Sequence, residues 1–120
     1  MIKINTTITA PDLQIKLKRF WQLSEEKIYL VEKNYDASQG SPVFTINGKY
    51  TTRGWTEWTQ GFQYGSMILQ YDATAEKSLL EKGKQYTVEK MAPHLSHTGV
   101  HDHGFNNISN YIRLAQKFAT

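Results

Sequence analysis

Apolar residues recur at helical spacing along most of the chain. After Pro11, the residues Leu13, Leu17, Phe20, Trp21, Ile28 and Val31 return every three or four positions or multiples of that step, the period of one helix face. Thr9 stands where a cap belongs, Pro11 suits a first turn, and Asp12 favours the positive end of the helix dipole. The polar stretch holding Gln22, Ser24, Glu25, Glu26 and Lys27 is a candidate break into two helices. A second helix is predicted from residue 58 or 61 to residue 71. Phe62, Met67, Ile68, Leu69 and Tyr71 make it apolar almost all round, the pattern of an interior helix. A third, over residues 75–91, mixes Leu79, Leu80, Tyr86 and Val88 with Glu76, Lys77, Glu81, Lys82 and Lys84. That amphipathic mix places it on the outside, and Pro93 ends it. A loop over residues 94–104 then leads into a fourth helix over residues 105–118.

The period changes between residues 36 and 54. Two β-prone runs, residues 43–46 and 49–52, flank Asn47-Gly48. Asn-Gly between such runs is the strongest short hairpin signal, because both turn positions need a positive φ. The expected fold is therefore all-α, with a small β-hairpin near residues 43–52. The length of 120 residues fits a single domain or a fragment of one.

Composition narrows the function classes. The sequence has no cysteine, so disulfides, thiolate catalysis and cysteine zinc sites are excluded. The net charge of +3 comes from lysines and arginines spread along the chain rather than gathered in a stripe, so no nucleic-acid partner is expected. No apolar run reaches membrane-spanning length, and no membrane partner is expected. The first residues lack the charged and apolar regions of a secretory signal, which points to a cytoplasmic location.

Candidate chemistry concentrates in His97-Thr-Gly-Val-His101-Asp102-His103-Gly104-Phe105, a loop entering a helix. Three readings fit these residues. Asp102 is a candidate acid/base carboxylate, which needs partial desolvation and a second carboxyl nearby. His97, His101 and His103 have a spacing that could supply imidazoles to a metal. Alternatively, the loop is solvated and Asp102 caps the last helix. A second dense stretch contains Trp55, Glu57, Trp58, Gly61, Phe62, Tyr64 and Gly65. Aromatic rings there suit either core packing or a sugar cleft, since a pyranose ring has an apolar face. Gly61 and Gly65 each cost about 1 kcal/mol against Ala in a helix, which points to close helix packing or close substrate approach. Asp72 and Glu76 read as helix-end residues, Glu57 as a weak catalytic candidate, and His94 as a partner of terminal carbonyls.

The two stretches together resemble the unsaturated glucuronyl hydrolases of glycoside hydrolase family 88 and related uronide hydrolases. The resemblance rests on Trp58-Thr-x-Gly61-Phe62-x-x-Gly65 followed by His101-Asp102-x-Gly104-Phe105, and covers about residues 55–118. His103, and the pair Gln63-Tyr64, depart from the usual pattern and point to a related branch. The resemblance implies the N-terminal part of an (α/α)6 barrel, in which one helical motif is inner, the next helix outer, and the Asp102 loop enters another inner helix. It implies Asp102 as one of two active-site aspartates, the other lying in a later segment. It also implies Trp58, Phe62, His101 and His103 as residues lining or touching the sugar, an oligosaccharide substrate with a terminal uronate, no cofactor and no metal. A barrel fragment of this kind is expected to be inactive alone and prone to self-association through its apolar helix faces. The same residues allow a non-catalytic helical binding module as the alternative.

Overall fold

The computed structural model describes residues 3–119. Helix α1 spans Ala10–Asn34 without interruption, so the break considered at residues 22–27 is absent. Gln, Glu and Lys in that stretch are strong helix formers, and one face keeps its contacts. The Trp21 carbonyl accepts from Gln70 Nε2 at 2.9 Å, and Tyr29 shares a 2.6 Å hydrogen bond with Ser78. Glu32 receives Lys82 and the Tyr86 hydroxyl at 2.5 and 3.0 Å. At the other end, Thr9 donates to the Asp12 carboxylate through its amide and its hydroxyl, at 2.8 and 2.6 Å. None of the residues of α1 is buried.

The hairpin forms where the period changed. Strands β1 (Phe44–Ile46) and β2 (Lys49–Thr51) pair antiparallel, with Ile46 opposite Lys49. Asn47 and Gly48 take φ values of 51° and 74°, the left-handed pair that a two-residue loop requires.

Helix α2 (Thr59–Thr74) is the centre of the molecule. It packs against α3 (Lys77–Lys90) on one side and the C-terminal helical rod on the other, with α1 alongside. Ala75, at φ 61°, turns the chain back, and the Glu76 side chain caps α3 by accepting from the Ser78 amide at 3.2 Å. Tyr64, Met67, Ile68 and Leu79 form the apolar core with Met91 and Leu114. The all-round burial expected of α2 holds except along one edge, where Phe62 and Leu69 stay exposed. Buried Gln60 and Gln70 take part of the interior in their place.

Two features lay outside the sequence reading. A short helix α4 (Pro93–Ser96) occupies the start of the expected loop, with Pro93 opening it rather than only closing α3. The last helix starts two residues early, as α5 (His103–Asn107), and passes through a π turn at Ile108–Ile112 into α6 (Arg113–Phe118). Gly61 and Gly65 bring this rod against α2. A β-carbon on Gly61 would run into the backbone of Asn106, and one on Gly65 into that of Ser109. Helix packing thus accounts for both glycines. Asp72, at the far end of α2, is ion-paired with Lys117 and lies 3.7 Å from Arg113, tying the end of the rod to the same helix.

Candidate functional site

The close approach of α2 and α5 builds two adjoining features. The first is a polar chain, buried at Gln60, His94 and His103 and exposed at His97. His94 on α4 and His103 on α5 face each other, with their Nδ1 atoms 3.0 Å apart. His103 Nε2 lies 2.7 Å from His97 Nδ1, and His94 Nε2 lies 3.4 Å from Gln60 Oε1. Gln60 Nε2 donates to the Trp55 carbonyl at 2.8 Å. The Trp55 ring covers the group, edge-on to His94 and His97 and stacked on His103. A neutral imidazole has one donor and one acceptor nitrogen, and that rule fixes the direction of the chain. His97 donates to His103 Nε2, His103 donates to His94 Nδ1, and His94 donates to Gln60. Run the other way, the bare His94 Nε2 would face the Gln60 carbonyl oxygen, acceptor against acceptor. Burial, then the neighbouring His103 and His97, push the His94 imidazole below its ordinary pKa, so a neutral His94 is the state this packing favours.

Asn106 links the chain to α2. Its Oδ1 accepts the Gly61 amide at 2.8 Å, while its Nδ2 reaches the Glu57 carbonyl at 3.2 Å and His94 Nδ1 at 3.3 Å. Asn107 Nδ2 donates to the His94 carbonyl at 3.2 Å.

The second feature is an open hollow of about 260 Å³ lined by Trp58, Phe62, Asp102 and Phe105. Trp58 meets Phe62 edge to face at 5.4 Å between ring centroids, and Phe62 and Phe105 are tilted at 6.3 Å. All three rings are exposed on this face. Asp102 stands at the N-cap of α5 but makes no capping bond with its side chain. Its Oδ1 instead lies 3.0 Å from Nε2 of the exposed His101. The carboxylate is thus free of the helix end and half-buried against aromatic walls.

The candidate residues therefore divide. Trp58, Phe62 and Asp102 converge on the hollow, with His101 beside Asp102 on its solvent side. His103 does not join them. It is 7% exposed and spends both ring nitrogens on His94 and His97. The metal reading is not assembled either: His97 and His103 meet each other, while the exposed His101 lies against Asp102. Among the described residues no group of three His, Asp or Glu side chains is placed to hold a metal ion. His94 is the residue whose expected role changes most. Its ring is buried in the imidazole chain rather than turned to helix-end carbonyls, because α4 carries it inward over Gln60. Gln60, Asn106 and Phe105 also belong to this region and were not singled out by chemistry. Phe105 sat inside a quoted motif, whereas Gln60 and Asn106 carried no signal beyond polar residues inside apolar helices. Among the described residues, no helix is long and apolar enough to cross a membrane. In comparisons with protein families, with curated proteins and with solved structures, nothing matches this chain.

Proposed function

We propose that the hollow at the end of α2 binds a sugar ring, and that the chain is part of a hydrolase acting on uronic-acid-containing oligosaccharides, with Asp102 as an active-site carboxylate. One observation carries this reading: three exposed aromatic rings and one half-buried carboxylate line the same hollow. Aromatic faces pack against the C–H face of a pyranose, while a carboxylate accepts from its hydroxyls. His101 supplies the adjacent imidazole, which in its protonated form offers a uronate carboxylate an opposite charge. The alternation of central α2, outer α3 and the Asp102 rod is the order the family 88 resemblance implies, and a partial (α/α)6 barrel is the architecture proposed with it.

A second reading has its own support. Asp102 is the only carboxylate lining the hollow among the described residues. Glycoside hydrolysis needs two carboxyl groups in defined roles, and hydration of an unsaturated uronide needs a proton donor with a second activating group. The hollow as it stands binds without completing catalysis, which is the non-catalytic alternative.

The test is a titration of the chain with an unsaturated uronide disaccharide, a saturated glucuronide and a neutral glucose disaccharide, followed by amide chemical shifts. Binding with shifts around Trp58 and Asp102, weakened roughly tenfold or more by Trp58→Ala, is expected, with the uronides preferred. Turnover is expected to be absent. No binding of any of the three sugars overturns the proposal, while measurable hydrolysis by this chain refutes the one-carboxylate argument.

A further inference from the structure

We propose that the imidazoles of His94, His97 and His103 form an acid-operated latch, which holds α5 against α2 until it must take up more than one proton, and then releases α5 and dismantles the hollow. The latch governs how the hollow is assembled, whatever binds there. The hydrogens of the chain can be counted. Each imidazole–imidazole contact, at 3.0 and 2.7 Å, has room for one hydrogen between its nitrogens. His94 Nε2 carries another toward Gln60, and His97 Nε2 has room for one more because that ring is exposed. Three neutral rings bring one hydrogen each and leave the outer end bare. The closed chain therefore accepts one extra proton, at its solvent end or passed along it, without losing a contact. A second proton sets N–H against N–H inside the chain.

The surroundings do not offset that charge. The groups facing the chain are Gln60 of α2, the Trp55 ring and Asn106 of α5, all neutral. Glu57 contributes its backbone carbonyl to Asn106, and Asp102 pairs with His101 instead. Among the described residues no carboxylate pairs with any of the three rings. The lowered pKa of His94, from burial and then its neighbouring rings, agrees with this. The repulsion has a mechanical outlet. His103 and Asn106 tie α5 to α4 and to the Gly61 amide of α2. Asp102 and Phe105 belong to the α5 side of the hollow, whereas Trp58 and Phe62 belong to the α2 side. The far end of the rod is tied separately, by Lys117 to Asp72. Between the two ties lies the π turn at Ile108–Ile112, the kind of irregularity at which helices bend. Lifting α5 thus parts the two halves of the hollow while α2 and α3 stay packed.

Imidazole nitrogen shifts and amide hydrogen exchange of the whole chain, followed from about pH 8 to about pH 5, test the latch. At the upper end His97 and His103 should carry their hydrogens on Nδ1 and His94 on Nε2. Below about pH 6, opening measured at the Gly61 and α5 amides should rise about 100-fold per pH unit, because release takes up about two protons. Leu79 and Gly83 of α3 should stay protected, and the Trp58 indole signal should shift with α5. His97→Gln, at the exposed end, leaves two imidazoles and an amide that either donates or accepts. Its closed chain still takes one proton, so release takes up one, and opening should rise only about tenfold per pH unit. Opening of α5 that ignores acid, a different set of tautomers, an unchanged slope in His97→Gln, or protection lost in α3 together with α5 would each overturn the proposal.

Discussion

The contact of α2 with the C-terminal rod and the long helix α1 represent opposite ways of using a helix. In the first, two backbones touch through Gly61 and Gly65, and the space around them is filled by Gln60, His94, His103, Asn106 and Asn110, all buried. Such an interior depends on polar groups finding partners, because an unpaired one costs about 1–3 kcal/mol. In the second, the helix is held by a few polar links along one face and leaves most of its aliphatic residues exposed, Leu13, Ile15, Leu17, Leu23 and Leu30 among them. The contrast shows that hydrophobicity alone did not decide which helix is interior. Backbone proximity, set by glycine, and hydrogen-bond satisfaction decided it.

The strongest way to break that comparison is to fill the glycine contact. Gly61→Leu should abolish the approach of α5, because the added side chain meets backbone that cannot yield, and overpacking against softer neighbours already costs about 1–3 kcal/mol. Loss of cooperative urea unfolding is expected. Ile15→Ala on α1, at a site 83% exposed, should change stability by no more than about 0.5 kcal/mol. Comparable midpoints for the two variants would show that the glycine contact does not organise the fold.

Acid sharpens the same contrast. The folded-state pKa of His94 is depressed, so the unfolded chain takes up its proton more readily. Its contribution to stability is therefore full above the ordinary histidine value of about 6.5 and falls as the pH drops below it. Chemical denaturation between pH 7.5 and pH 5 should show stability declining, with a flatter profile in His94→Phe. Equal slopes in the two proteins would mean that the imidazole chain does not couple to folding.

The smallest effect belongs to the free end of α1. Hydrogen bonds from Thr9, first through its side chain and then its backbone, hold the Asp12 carboxyl below the usual carboxylate range. Its capping contribution is present at neutral pH and is lost as acid protonates it below that range. Thr9→Ala should speed amide exchange in the first turns of α1 while leaving α2 protected. Protection lost equally in α2 would tie the two regions together more closely than the packing indicates.

Much of the secondary structure was legible because it rests on local rules. Thr9, Pro11 and Asp12 mark a helix start by capping chemistry, and Asn47-Gly48 demands a hairpin by its φ values. The amphipathic α3 and the interior α2 followed from periodicity. Part of the hollow was legible as well, since Trp58, Phe62 and Asp102 stood out by residue type, and all three line it. The tertiary structure alone decided how the histidines were used. Nothing local distinguishes His101 from His103, yet one points to solvent beside Asp102 while the other is buried between two imidazoles. That choice depends on which face of α5 meets α4, and on Gly61 letting Asn106 come within 2.8 Å of the α2 backbone. These are contacts across 45 residues of chain. The sequence by itself determined where helices begin, turn and expose charge, because those preferences act within a few residues. Which polar side chains are buried, and against what, was decided only when the helices met, since burial is a property of the neighbour as much as of the residue.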